Sequence, residues 1–262
     1  MDANSFSHRY VPAFGKRVHR LGLACNMIDE RGFEAALEQG LNYIFWTALR
    51  TGHLKPALKR ALKARREELV LATGPSFGYF GGSIRRAAER LLSDLGIDTI
   101  DVFQLFWLGV SSAWSEGTME ALLRLKEEGK VRSIGVSIHD RVRAGELARE
   151  SPLDVFMLRY SAAHPGAERD VFPQLLARKS AVVAYTATSW RKLLKAPAAW
   201  EGAPMTAGDC YRFCLSNANV DLVLTGAANE TELAENLKAL ERGPLSHEEV
   251  GWMRRFGTAV HG

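Results

Sequence analysis

Eight short apolar runs, each followed by a stretch with helical spacing of its apolar residues, alternate along this 262-residue chain. That order limits the fold more than any other feature, because strand–helix–strand alternation sets parallel strands side by side under a cover of helices. The runs are Val18–Ala24, Asn42–Trp46, Leu69–Thr73, Thr99–Phe106, Val131–Ile138, Asp154–Tyr160, Ser180–Ala187 and Asp221–Thr225. Helices are predicted near Glu30–Gln39, Leu54–Arg65, Ile84–Leu95, Thr118–Glu128, Arg141–Glu150, Glu168–Ala177, Ala207–Ser216 and Glu230–Leu240, with a last one from Ser246. The strand runs lack clean polar alternation, as expected when a parallel sheet is covered by helices. Eight βα units on about 260 residues fit an α/β fold of the (β/α)8 TIM-barrel kind, as a single domain over residues 1–262. A doubly wound sheet of two lobes is the competing layout. No Pro-, Gly- or Ser-rich linker divides the chain, and Lys195–Gly208 reads as a long loop.

Charge and cysteine usage narrow the partners. Lys and Arg number 34 against 30 acids, and the positives are interleaved with acids in KRALKARREE and RLKEEGKVR. Such stretches are solvated helix faces rather than a nucleic-acid stripe. The three cysteines, Cys25, Cys210 and Cys214, have no metal-ligand spacing, and the last two read as small apolar residues on one helix face. No run approaches the ~18 apolar residues of a membrane span, and MDANSFSHRY has no apolar signal core. The expectation is a cytoplasmic protein with no metal, membrane or nucleic-acid partner.

Five segments, in order, then carry a likeness. GLNYI (Gly40–Ile44), LLSDLGIDTIDVFQLFW (Leu91–Trp107), EEGKVRSIGVS (Glu127–Ser137), VVAYTA (Val182–Ala187) and TGAANETELAENLKAL (Thr225–Leu240) resemble successive motifs of the aldo-keto reductase superfamily. The resemblance implies the barrel fold and hydride transfer from NADPH to a carbonyl carbon. It also implies a relay in which a Tyr protonates the carbonyl oxygen, a Lys lowers the Tyr pKa, an Asp orients the Lys and a His positions the substrate. A phenol of pKa ~10 donates at neutral pH only where its surroundings favour the phenolate left behind.

None of the four is expected at its place. Phe45 and Trp46 stand where the Asp belongs, Arg50 or Thr51 where the Tyr belongs, Gly74 in place of the Lys and Phe106 in place of the His. No lysine occurs between Lys63 and Lys126. Phe45, Trp46, Phe106 and Trp107 are expected at the barrel mouth, each able to bury ~150–250 Å². They read as extra core in a closed pocket, as a hydrophobic ligand site or lid over a cofactor, or as a protein-binding patch.

The resemblance sets Tyr185 against the nicotinamide ring and Ser137 at its carboxamide, while Ile138 and Met157 replace the other two carboxamide partners. Gly226 and the backbone at Ala227–Asn229 offer a pyrophosphate cradle, and Glu235 with Asn236 match the adenine-end pair. Glu232 replaces the Arg expected at a 2′-phosphate, which favours NADH over NADPH. The same segment also reads as a helix start, Asn229 capping and Glu232 three residues on. Loss of cofactor binding is the other possibility. His53 and His139, just beyond two strands, are candidate proton donors, as are Arg159, His164 and Glu168 candidate lining residues of the mouth. For each histidine a plain surface-loop role is the competing reading, and Arg212 reads as a helix-surface residue.

Three functions are consistent with this pattern. The first is a nicotinamide- or small-molecule-binding pseudo-reductase that has lost the usual relay. The second is an active NAD(P)H-dependent oxidoreductase with an unusual proton donor. The third is a structural, partner-binding barrel.

Overall fold

The computed structural model describes residues 5–175 and 180–261. Eight parallel strands close into a barrel: β3 (Leu21–Ala24), β4 (Tyr43–Phe45), β5 (Val70–Thr73), β6 (Ile100–Leu108), β7 (Val131–Ile138), β8 (Val155–Arg159), β9 (Ala181–Tyr185) and β10 (Leu222–Thr225), with β10 pairing back to β3. The helices over them are α1 (Glu30–Glu38), α2 (Lys55–Arg65), α3 (Gly81–Leu95), α4 (Glu116–Glu127), α5 (Arg141–Glu150), α6 (Ala167–Asp170), α7 (Phe172–Leu175), α8 (Ala207–Ser216) and α9 (Glu230–Glu241), followed by α10 (His247–His261). The (β/α)8 barrel predicted from the alternation is the fold observed.

Two elements differ from the sequence reading. The first predicted strand, Val18–Ala24, splits at Arg20. Its start belongs to an antiparallel hairpin of β1 (His8–Val11) and β2 (Lys16–His19), and its end is β3. Arg20 is buried and turns the chain there, donating to the carbonyls of Leu215, Val220 and Asp221 at 3.0, 2.6 and 2.9 Å. The hairpin plugs the N-terminal end of the barrel with Val11, Phe14 and Val18, and the Phe14 ring lies 5.3 Å from that of Tyr43. The second difference is the predicted helix Glu168–Ala177, which breaks at Val171 into α6 and α7; residues 176 and 177 lie outside the described residues. Pro173 has no N–H with which to continue the ladder of α6.

Strand parity assigns each side chain to one of two cores. In β8, Val155 and Met157 point into the barrel while Phe156 and Leu158 point out against the helices. Parity therefore sends Arg159, the last residue of β8, inward at the C-terminal mouth. Near the opposite end Asp101 is fully buried and held by Lys16 at 3.1 Å, Arg66 at 2.8 Å and the Leu71 N–H at 2.9 Å.

Candidate active site at the barrel mouth

The C-terminal ends of β4, β6, β7, β8 and β9 bring Phe45, Phe106, Ser137, Arg159 and Tyr185 to one rim. Phe45 and Phe106 meet edge-to-face, with centroids 5.7 Å apart, and both are half-buried. Trp107 follows with its ring 47% exposed and its backbone at φ +45°, the N–H bonding to Ser137 Oγ at 3.3 Å. Trp46 does not join them. It is 1% exposed and lies in the outer core, where its indole N–H donates to the Thr51 carbonyl at 2.8 Å. The expectation of four aromatics at the mouth is thus corrected to three, because one residue along a strand turns a side chain to the other face.

The other positions matched to the relay are equally specific. Thr51 is buried and hydrogen-bonds Thr47 through its hydroxyl, closing a tight loop, and Arg50 is exposed. Gly74 has no room for a side chain: a β-carbon there runs into the backbone carbonyl oxygen of Gln104. Gln104 itself is buried inside the barrel, its amide nitrogen 3.4 Å from Met157 Sδ and its oxygen without a partner among the described residues.

Of the two candidate donors, His53 is exposed with Nε2 3.3 Å from the Ile28 carbonyl. His139 is brought to the mouth, where its Nε2 and the Tyr185 hydroxyl share a hydrogen bond of 2.9 Å. Trp107 flanks the same imidazole edge-on at 6.1 Å between centroids. Burial, and then the charge of Arg159, lowers the His139 pKa below its ordinary value. Burial pushes the Tyr185 phenol up to about 12 despite the opposing effect of Arg159. Both groups are therefore neutral around pH 7.

Arg159 is the register neighbour of Tyr185, and its guanidinium carbon lies 5.6 Å from the centre of the Trp190 ring. His164 meets the same indole edge-on at 6.2 Å. Its pKa is lowered to about 4, first by burial and then by Arg159, His261, Lys192 and Arg141. Trp190 had no sequence signal. It is placed by a loop in which Thr186, Ser189, Trp190 and Arg191 all take left-handed φ of 49 to 68° without a glycine. Each such residue costs about 1 kcal/mol or more and persists only where its surroundings impose it. Glu168 does not line the mouth: it pairs with Arg254 at 2.7 Å and accepts from Tyr160 at 2.5 Å on the outer side of the strands. Arg212 is likewise not a surface residue. It is buried, bonded to the Gly243 carbonyl at 2.9 Å and to Glu249 at 3.1 Å.

The fit to a nicotinamide dinucleotide differs between its two ends. At the nicotinamide end, Tyr185 and Ser137 stand half-buried on the rim, while Ile138 is buried in the outer core and Met157 inside the barrel. At the phosphate end, Glu232 accepts from the Ala228 N–H at 3.0 Å and Asn229 accepts from the Glu232 N–H at 2.9 Å, which closes the start of α9 upon itself. Asn236 is buried and donates to Thr225 at 3.2 Å, whereas Glu235 is exposed on the outer face of α9. Gly226 is open, with only Met27 near its absent β-carbon. Among the described residues no group of His, Cys, Asp and Glu is arranged to hold a metal ion, and no helix is long and apolar enough to cross a membrane.

Comparison with known proteins agrees with this architecture. Over 268 aligned residues the chain is 26% identical to the uncharacterized oxidoreductase YqkF of Bacillus subtilis, covering 87% of this chain and 85% of that one. A shorter match, 32% identical over 103 residues, covers 38% of the chain and 31% of the NADH-specific methylglyoxal reductase of Escherichia coli. Among solved structures, the holo aldo-keto reductase AKR11C1 of Bacillus halodurans superposes with a TM-score of 0.82 at 24% identity, over 97% of both chains. An aldo-keto reductase of Klebsiella pneumoniae in complex with NADPH superposes at 0.76 with 21% identity over 92% of both. The model of the aldo/keto reductase family matches residues 30–197, more than half of the sequence. On that match, carried by the strands that build the rim, the chain belongs to the aldo/keto reductase family.

Proposed function

We propose that this chain is a pseudo-reductase: a barrel that binds a nicotinamide dinucleotide, NADH in preference to NADPH, and lacks the carbonyl-reducing relay expected of its family. The observation that carries this reading is Gly74, whose site is closed to any side chain by the Gln104 carbonyl. A lysine is therefore sterically excluded where the resemblance expects one. The relay tyrosine is missing as well, its place taken by exposed Arg50 and buried Thr51, and the phenol that does stand on the rim, Tyr185, is pushed up to about 12 by burial.

Dinucleotide binding is supported by Tyr185 and Ser137 on the rim and by relatives that are NADH-specific or bound to NADPH. A bound reduced nicotinamide supplies a hydride. Tyr185 offers it a ring face held in place by the bond to His139, and Ser137 offers a hydroxyl to its carboxamide. The Glu232 carboxylate disfavours a 2′-phosphate at the start of α9 by like-charge repulsion. A panel of aldehydes, ketones and quinones tests the reading. Cofactor oxidation no faster than the protein-free blank is the expected result, and turnover of an ordinary ketone contradicts it.

One observation favours a second reading, an active oxidoreductase. The Tyr185–His139 bond of 2.9 Å places a protonated phenol at the mouth with a base behind it. Ketone reduction that disappears in both Tyr185→Phe and His139→Ala selects this reading over the first.

A further inference from the structure

We propose that Arg159 anchors a carboxylate at the barrel mouth, so that the ligand of this site is a small carbonyl-bearing acid. Every other buried or half-buried arginine among the described residues has an acid or a backbone carbonyl as partner, as Arg20, Arg66, Arg141, Arg212 and Arg254 illustrate. Arg159 has neither among those residues, although it is half-buried and points inward. Its one described contact is the Trp190 ring at 5.6 Å, which covers a face of the guanidinium and takes up none of its N–H groups.

An unpaired, partly desolvated guanidinium costs stability unless something occupies it. Acids on the neighbouring segments are committed elsewhere, Asp140 to the Arg143 N–H, Asp170 to Arg141 and Arg169, and Glu168 to Arg254. The loop that carries Trp190 over Arg159 holds four non-glycine residues in left-handed backbone.

The class of ligand follows from charge and geometry. His139 and His164 flank Arg159 as neutral imidazoles, leaving one guanidinium charge inside the rim with Lys192 exposed outside it. One planar fork with one charge matches a carboxylate bidentately better than a phosphate dianion. Tyr185 stands directly across the ladder from Arg159, and with His139 Nε2–H donating to its oxygen its own O–H is free for the part of the ligand next to that carboxylate. A 2-oxo acid has its carbonyl, an acceptor, in that position. The inference rests on the mouth being the binding site proposed above and does not depend on which cofactor is bound.

The test uses the full chain, with pyruvate and 2-oxoglutarate as probes and pyruvamide as the neutral control. Trp fluorescence and calorimetry are the readouts. At least one acid is expected to bind, and to lose about tenfold or more in affinity in Arg159→Met, with Arg159→Lys intermediate. Pyruvamide is expected to bind weakly and equally to all three proteins. Equal acid binding by wild type and Arg159→Met overturns the proposal, as does failure of both acids to bind wild type. Tighter binding of inorganic pyrophosphate, lost in the same variant, reassigns Arg159 to phosphate and also overturns it. Should Arg159→Met not fold, the acid-to-amide ratio in wild type and Arg159→Lys decides. NADH titrations of the same samples separate failure of this site from failure of dinucleotide binding.

Discussion

The Tyr185 hydroxyl and His139 Nε2 share a hydrogen bond of 2.9 Å, tying the end of β9 to the residue that follows β7. Burial, with the charge of Arg159 on the strand between them adding to it, lowers the imidazole pKa, and burial keeps the phenol protonated. The pair is a fixed neutral hydrogen bond and carries no charge of its own.

His139 is accordingly expected to titrate below the ordinary histidine value in an NMR pH series. Arg159→Met removes a like charge and is expected to raise that pKa. An unchanged His139 titration in this variant contradicts the electrostatics of the mouth.

Gly74→Ala forces a β-carbon into the Gln104 backbone carbonyl, an atom that cannot swing aside. A loss of about 3 kcal/mol is expected in denaturant unfolding. Wild-type stability in this variant means that the position accepts side chains, and the exclusion of a lysine there falls with it.

Asp101 joins β6 to the hairpin and to the end of α2 through Lys16 and Arg66. Asp101→Ala leaves three cations, Lys16, Arg66 and Arg132, around a buried void and is expected to cost about 3–5 kcal/mol. The exposed cluster of Arg60 with Glu30 and Glu34 is expected to contribute far less, since solvent screens it. Comparable losses in Asp101→Ala and Arg60→Ala, measured by chemical unfolding, contradict this ranking.

His19 is buried, and its Nδ1 accepts from the Leu21 N–H at 3.0 Å. Burial is the main cause that lowers its pKa to about 4, with the neighbouring His8 adding to it. The unfolded chain binds this proton near pH 6.5 and the folded chain only near 4. Stability is therefore full above pH 6.5 and falls as the pH drops toward 4, by about 3 kcal/mol from this residue. His19→Gln is expected to flatten that slope, and an unaltered pH–stability curve argues against the buried neutral imidazole.

The barrel was legible because eight apolar runs spaced by helical stretches leave little else to build. The hairpin was not, since Val18–Ala24 reads as one strand until Arg20 is seen bonding backward to carbonyls after α8. Trp46 was recoverable from parity alone: Tyr43 and Phe45 face the barrel interior, so Ile44 and Trp46 face the helices. Asn236 was also recoverable, lying at helical spacing between Leu233 and Leu240 on the buried face of α9. Trp190 was not, because a run of left-handed residues without glycine leaves no mark in composition. His139 was legible as a residue beyond a strand, but its bond to Tyr185 depends on how two strand ends meet across the rim.

Titration of the purified protein with NADH and NADPH, followed by Trp fluorescence, reads dinucleotide binding at the mouth, where Trp107 and Trp190 stand exposed. Saturable quenching is expected, with NADH binding more tightly than NADPH and that preference reversed in Glu232→Arg. No quenching by either cofactor up to millimolar concentration, or a wild-type preference for NADPH, contradicts the proposed NADH site.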